Sequence, residues 1–280
     1  MSEIKQDIVK SNALIEAVYN PGSVYQMRLL MAALLQVKAK EKIDYKTRYY
    51  ISANALADMT GSAAKNNYKE LRKAAKDLME TTVHIKDDVY GNPLERTLRI
   101  NLVSSCEYGD GEGQVGLRFT EEIIPYVSDL KKRFTQYQAK YVMPMRSSYG
   151  IRLYELCLQW LGDEREFSVE EFKVMFGLEN KYARLDKLKE KVIKPALDDI
   201  NKHSDIRVSF GQRKAGRKVT HFQFRITRSA KASKALKLEN WMNEYNVGHG
   251  EVKPSKNTLA KYEEYKKDPD AWVSREVNNG

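Results

Sequence analysis

Six basic residues lie between positions 181 and 194, and basic side chains neutralise the phosphate groups of nucleic acids. Apolar residues recur through the same stretch on one helix face, and the basic ones lie roughly opposite. Such a helix can pack one face on a core while the other enters the major groove of DNA, which is about 12 Å wide. A solvated surface helix fits the pattern as well. The candidate DNA-reading residues are Lys181, Tyr182, Arg184, Lys187, Lys191 and Lys194.

A second basic cluster lies in the sequence GQRKAGRK, between two stretches that are typical of β-strands, 206–210 and 218–228. The glycines of this cluster favour a hairpin turn over residues 211–216. Cations at the tip of a hairpin suit contacts with phosphates or with the minor groove, although an ordinary hairpin tip would have the same pattern. The candidate contacts here are Arg213, Lys214, Arg217 and Lys218.

The first half of the chain holds a weaker copy of the basic helix, over residues 62–80. It also has an apolar stripe and a basic stripe, but Glu70, Asp77 and Glu80 dilute the positive charge. We therefore expect contacts with the DNA backbone rather than with base edges. A mixed-charge surface helix fits equally well. The candidates are Lys65, Lys69, Arg72, Lys73 and Lys76.

The charge of the whole chain points to the same class of partner. The chain has 280 residues, a net charge of +10 and a pI of about 9.3. Residues 145–228 carry an excess of +6, against +3 for 1–144 and +1 for 229–280. A basic balance of this kind favours a polyanionic partner such as nucleic acid, although many proteins are mildly basic without one.

Signatures of catalysis are missing from the sequence. It contains no GxxxxGK[ST] phosphate loop, no HExxH, no CxxC and no GxSxG. Cys106 and Cys157 have no zinc or disulfide spacing and are expected to be reduced core residues. We expect no enzymatic activity, no cofactor and no metal. The four histidines are isolated from one another, and the acidic cluster fits a helix N-terminus better than a metal site: Glu164, Glu166, Glu170 and Glu171.

The chain shows no sign of a membrane association. No stretch approaches the roughly 18 consecutive apolar residues of a membrane span. The first residues lack the basic and apolar regions of a signal peptide. We therefore expect a cytoplasmic protein without a membrane partner.

Periodicity and turn residues predict the same order of elements twice: a helix, a short helix, a glycine turn, a long helix and a β-hairpin. In the first half these are a helix at 22–40, a strand at 45–51, a Ser52-capped helix at 53–59, a turn at Gly61, a long helix ending near Glu80, strands at 82–87, 96–107 and 114–120, and a helix at 121–133. In the second half they are a helix at 146–161, a helix at 169–176 with Ser168 and Glu171 as a capping box, a turn at Gly177, a long helix at 182–203 kinked by Pro195 near Lys191, and the hairpin.

That order is the order of a winged helix-turn-helix domain. The predicted fold class is α+β, with two tandem winged-helix domains and a loosely structured C-terminal tail. We place the first domain at residues 1–140, the second at 141–228 and a partly disordered tail at 229–280. Two stretches of the tail have the pattern of short helices, 236–245 and 258–267.

Several segments resemble the iteron-binding Rep initiators of theta-replicating bacterial plasmids. These are SSYGIRLYELCLQW at 147–160, KLKEKVIKPALDDINKHSDI at 187–206, GRKVTHFQFRI at 216–226, VKSNALIEA at 9–17 and LRFTEEIIPYVSDL at 117–130 with FTQY at 134–137. The resemblance covers residues 8–228. Asn20, Pro21, Gly22 and Ser23 depart from the leucine-rich stretch that members often have there.

The resemblance implies a function as well as a fold. Such proteins bind direct repeats, called iterons, as monomers, help to open the adjacent AT-rich DNA, and recruit the host initiator and replicative helicase. As dimers they often bind an inverted repeat at their own promoter and repress it. The second domain would read the major groove, a role that falls on Lys181–Lys194, and the first would supply dimer and backbone contacts.

We expect a homodimer in equilibrium with a monomer, joined through the first domain's strand around residues 96–107, because an exposed strand edge can pair with another copy. Simple core burial of these residues is the alternative. Two other functions remain open on the residues alone: a winged-helix transcriptional repressor, and a nicking nuclease, which the lack of a His-x-His pair disfavours. The predicted dimer contacts are Leu98, Arg99, Ile100 and Leu102.

Overall fold

A computed structural model describes residues 7–38, 41–61, 67–109, 113–230, 232–233 and 256–267 of the chain. Two winged-helix units follow each other in it, as the sequence predicts. The described helices and strands of the first half are β1 (Asp7–Ser11), α1 (Asn12–Ile15), α2 (Val24–Leu34), β2 (Tyr49–Ser52), α3 (Ala53–Thr60), α4 (Asn67–Met79), β3 (Thr82–Asp87), β4 (Pro93–Asn101), β5 (Val103–Glu107), β6 (Gln114–Phe119), α5 (Ile124–Val127), β7 (Phe134–Gln138) and α6 (Ala139–Val142).

Local sequence signals explain the helix ends of the first half. The Ser52 hydroxyl accepts a hydrogen bond from the Ala55 amide, 3.0 Å, which caps α3 as predicted. Gly61 ends α3 with a left-handed backbone, φ 65°. Two antiparallel sheets follow, a three-stranded one in the order β2-β6-β5 and the pair β3-β4. The prediction of a single strand at 96–107 is wrong. The segment forms two strands, β4 and β5, which are separated by Leu102, whose side chain is buried in the core.

The predicted helix at 121–133 is also wrong. A 3₁₀ turn at Glu121–Ile123 leads into the single turn α5, and Ser128 is extended. Asp129 and Arg133 then adopt left-handed backbones, with φ of 52° and 50°. The chain leaves the helix because residues 134–138 are needed as β7, the antiparallel partner of β1. Sequence periodicity could not show this pairing between segments so far apart.

The second half begins with α7 (Ser148–Leu158) and continues with β8 (Glu164–Ser168), α8 (Val169–Met175), α9 (Leu185–Leu188), a π-helical segment (Lys189–Ile193), α10 (Lys194–His203), β9 (Ile206–Ala215) and β10 (Lys218–Arg228). The strands form one antiparallel sheet in the order β8-β10-β9. Phenylalanine rings from β8, α8, β9 and β10 pack between the sheet and α8, with one stacked pair and others edge-on or tilted. The buried residues of both units belong to one continuous hydrophobic core.

Helix α7 joins the two halves, because its buried polar side chains contact the N-terminal segment. The Arg152 guanidinium donates to the carbonyl of Ile15, 2.7 Å, and also to that of Ala17. Glu155 forms an ion pair with Lys10, with 2.6 Å between Lys10 Nζ and Glu155 Oε1. Both side chains are at most 1% exposed. The domain division at residues 140 and 141 stays a prediction.

Cys157 on α7 confirms its predicted place in the core, since it is fully buried and free. Burial raises the pKa of its thiol to about 12. Cys106 is free too but only half-buried.

In the tail, α11 (Lys256–Lys267) confirms the helix predicted at 258–267. The helix predicted at 236–245 lies outside the described residues. Among the residues that the structure describes, no helix is both long enough and apolar enough to cross a membrane.

Candidate nucleic-acid interface

A tight turn sets the second helix of the helix-turn-helix in the second unit. Ser168 and Glu171 form the predicted capping box at the start of α8. Gly177, with φ 60°, ends α8, and a Cβ there would come within 2.9 Å of Asn20 Cβ. The glycine thus permits both the left-handed turn and the close approach of the N-terminal segment.

The long helix (residues 185–203) begins later than the sequence predicts. Tyr182 has a left-handed backbone, φ 53°, and its side chain packs against the core. The Tyr182 carbonyl accepts a hydrogen bond from Lys173 Nζ, 3.1 Å, which ties the turn to α8. Arg184 is extended and occupies the N-cap position. Of the predicted contacts, Lys181, Tyr182 and Arg184 therefore lie in the turn that precedes the helix.

The apolar face of the long helix is confirmed. Leu188, Val192, Ile193, Ala196 and Ile200 are all buried in the core. Lys187, Lys191 and Lys194 are exposed, as are Lys181 and Arg184 in the turn. The helix thus packs on its own unit while its cations face solvent.

The π-helical segment lies just ahead of Pro195, where the sequence predicts a kink. Proline has no amide hydrogen and its ring clashes with the carbonyl four residues earlier, so an α-helical bond from residue 195 to Lys191 cannot form. A π-helical segment accommodates one extra residue, and each residue turns a helix by about 100°. The predicted single stripe is therefore split: Lys194 is rotated away from Lys187 and Lys191.

Carboxylates nearby in the sequence form ion pairs with three of the predicted cations. Arg184 Nη2 lies 2.6 Å from Asp186 Oδ2, Lys187 Nζ 2.7 Å from Glu190 Oε2, and Lys191 Nζ 2.9 Å from Glu190 Oε1. Hydrogen bonds from Lys187 and Lys191 lower the pKa of Glu190 to about 2. The hydrogen bond from Arg184 likewise lowers the pKa of Asp186.

The hairpin after the helix forms a wing that is longer than predicted. Strand β9 runs on to Ala215, so the turn holds only Gly216, with φ 58°, and Arg217. Lys214, Arg217 and Lys218 are exposed and form no ion pair with a described residue. Arg213 is different, because Glu166 of β8 accepts from its Nε at 3.1 Å.

The acidic cluster has structural partners. Glu166 pairs with Arg213, Glu164 lies 3.6 Å from Arg225, and Glu171 caps α8. The hydrogen bond from Arg213 lowers the pKa of Glu166. No group of three or more potential metal ligands occurs among the described residues.

The first unit presents the weaker basic helix, α4, in the expected orientation. Leu71, Ala74, Ala75 and Leu78 are buried, whereas Lys69, Lys73 and Lys76 are exposed. The Arg72 guanidinium lies over the ring of Tyr108, 4.3 Å from its centroid, and 5.9 Å from that of Tyr68. Arg72 therefore packs against Tyr108, which directly follows β5. Lys65 lies outside the described residues.

The predicted dimer contacts divide between surface and core. Leu98 and Ile100 are half-buried and Arg99 is exposed on β4, which pairs with β3 along one edge. No strand pairs with the other edge of β4 within the described part of the chain. Leu102 is only 2% exposed, so it packs in the first unit's core and is not available at a surface. The other three stay predicted dimer contacts.

Two family models match the chain in sequence. One, described as Initiator Replication protein, WH1, matches residues 7–158, and the other, Initiator Rep protein, WH2, matches residues 168–226. The chain belongs to the initiator replication protein family. The WH1 match includes α7, in line with the contacts of this helix to the N-terminal segment.

Relatives of this initiator are found among curated proteins and solved structures. It is 29% identical over 248 residues to a replication initiation protein of Escherichia coli, covering 86% of this chain and 75% of the relative. It is 25% identical over 228 residues to the PI protein of Escherichia coli, covering 70% and 75%. A crystal structure of the Pi initiator protein in complex with iteron DNA has a similar fold, with a TM-score of 0.66, 22% identity, and coverage of 80% of this chain and 98% of that one.

Sequence reasoning allowed for ion pairs on the basic helix without assigning their partners, and it missed the buried contacts of the N-terminal segment. The signal for Glu190 was present, because it lies three residues after Lys187 and beside Lys191. The Lys10–Glu155 pair had no such signal, since its partners are distant in sequence.

Proposed function

We propose that this initiator binds iterons, tandem direct repeats in duplex DNA at a plasmid origin, and thereby starts plasmid replication. One observation carries the proposal: in a chain of this family, the second unit presents exposed cations on both the long helix and the wing. The resemblance of the fold to the Pi protein, whose structure holds iteron DNA, supports it. Membership in the initiator family favours this function over that of a plain winged-helix repressor.

The two basic elements would divide the work. A helix in the major groove meets base edges, so Lys187 and Lys191 in the N-terminal half of the long helix, with Arg184 at its N-cap, would read sequence. The wing cations Lys214, Arg217 and Lys218 would bind phosphates and fix the position of the protein on the duplex. In the first unit, Lys69, Lys73 and Lys76 would add backbone contacts.

Further steps of initiation belong to the same proposal. After binding, the initiator would promote opening of adjacent AT-rich DNA and recruit the host initiator and replicative helicase. A homodimer would bind an inverted repeat at its own promoter and repress it. These roles need no catalytic group of the protein itself, and we expect it to have no enzymatic activity.

A footprint on the DNA that flanks the gene tests this function. We expect protection of several direct repeats, spaced by about whole turns of the double helix of roughly 10.5 base pairs each, beside an AT-rich stretch. A footprint confined to one inverted repeat would instead support the repressor. Protection without any sequence preference would contradict both.

A further inference from the structure

Glu190 is an acidic residue on the face that the proposed function turns towards DNA. It belongs to the π-helical segment, between Leu188 and Val192, which are both buried, so its side chain points to the solvent side. Its carboxylate contacts the ammonium groups of Lys187, 2.7 Å, and Lys191, 2.9 Å, through separate oxygens. One carboxylate thus occupies two candidate base-reading lysines, and it is itself 48% exposed.

A carboxylate in this place opposes DNA in two ways. It competes with phosphates for both lysines, and it repels the phosphates themselves. Its pKa of about 2 means that it stays charged at every pH at which duplex DNA is stable. A loosely bound duplex of unrelated sequence offers the carboxylate no compensation, whereas a matched site can present a cytosine amino group, from which a glutamate accepts a hydrogen bond.

Glu190 therefore reduces the affinity for unrelated duplex and the affinity for the matched repeat by different amounts. We infer that Glu190 is a specificity-determining residue, which weakens binding to unrelated duplex more than binding to the repeat. This inference rests on the proposed function, because it requires a helix that meets base edges. Lys194, Lys214, Arg217 and Lys218 form no ion pair with a described residue, so phosphate affinity at those positions carries no such penalty.

Glu190→Gln in the full-length chain tests the inference, with Asp198→Asn as the matched control. Both residues are exposed on the long helix, and both changes remove one negative charge. Affinities are measured for a duplex with the direct repeats and for a scrambled duplex of equal length. We expect Glu190→Gln to raise affinity for the scrambled duplex about three- to tenfold, the range of one or two exposed ion pairs, and to raise repeat affinity less.

The control and a conservative variant distinguish an effect of net charge from an effect of the carboxylate at position 190. Asp198→Asn should shift both affinities equally, as expected for charge alone, and Glu190→Asp should keep the low affinity for scrambled DNA. The inference is overturned if Glu190→Gln and Asp198→Asn change the ratio of the two affinities alike, or if neither changes it. If the unmodified protein itself binds both duplexes equally, the proposed function fails and the inference falls with it.

Discussion

The cationic residues of the interface differ in whether a nearby carboxylate forms an ion pair with them. Arg184, Lys187 and Lys191 each pair with a carboxylate of their own segment, whereas Lys214 and Arg217 on the wing pair with no described residue. Pairing reduces the charge that the helix cations offer to phosphates, whereas the wing cations are available to the DNA backbone.

This difference predicts two classes of variant. Lys187→Ala or Arg184→Ala should reduce discrimination between the repeat and other sequences by about 1 to 3 kcal/mol, the cost of one lost base contact. Lys214→Ala or Arg217→Ala should weaken binding to all duplexes alike. Competition binding with repeat and scrambled duplexes measures both effects. Wing variants that change sequence preference, with helix variants that do not, would reverse the assignment.

Residues at the helix ends and at the kink define the helices of the helix-turn-helix. Ser168 and Glu171 satisfy backbone amides at the start of α8, Gly177 supplies the left-handed turn, and Pro195 sets the π-helical segment. Each of these residues is a strong local signal, which is why the sequence predicts them.

Loss of the capping box should be measurable. Ser168→Ala removes the acceptor for the Glu171 amide, 3.1 Å, and should cost about 1 kcal/mol of the free energy of unfolding. For a protein of this size, that corresponds to a fall in Tm of about 2 to 4 °C. Thermal melting provides the measurement, and Ser168→Thr, which keeps the hydroxyl, should melt nearly as the unmodified protein does. Equal melting of Ser168→Ala would show that the cap contributes little.

Local signals account for most of the fold and for part of the site. Helical periodicity predicts α4, α7, α8 and the buried face of the long helix. The same reasoning fails at residues 121–133, because the strand β7 is required by β1, a partner far away in the chain. It also fails at Tyr182, where the backbone reverses hand before the helix begins. Periodicity contains no information on such tertiary demands.

At the scale of the whole molecule, the N-terminal segment helps to connect the two units. Lys10 pairs with Glu155, Arg152 donates to the carbonyl of Ile15, and Arg165 forms a bidentate pair with Glu16 at 2.6 Å. These contacts join the first strand and helix to α7 and β8. The position of the second unit's reading helix relative to the first unit thus depends on residues near the start of the chain.

Breaking the buried pair should therefore destabilise the protein strongly. Lys10→Met leaves the Glu155 carboxylate buried without its ion partner, which should cost about 3 to 5 kcal/mol. Lys38→Met removes one side of an exposed pair with Glu41 and should cost less than about 1 kcal/mol. Urea unfolding compares the two variants. Similar losses from both would mean that the Lys10–Glu155 pair has no special role.

The edge of β4 that pairs with no described strand is the predicted dimer contact. Arg99→Glu places an opposite charge on an exposed side chain at that edge, so the variant should stay folded and shift towards monomer. Arg207→Glu, an equal charge change on the exposed surface of the second unit, should leave the dimer intact. Sedimentation measures the oligomer, and thermal melting verifies folding. A folded Arg99→Glu that dimerises as tightly as the unmodified protein would place the interface elsewhere.

The most direct test of the central claim is a titration of the full-length protein with the direct repeats that flank its gene. A scrambled duplex of the same length and composition is titrated in parallel, each at about 50 and 200 mM salt. We predict that the repeats bind tighter by at least about a thousandfold and that both affinities fall with salt, since bound cations displace counterions from phosphates. Equal affinity for repeats and scrambled DNA, or affinities that do not change with salt, would contradict the account.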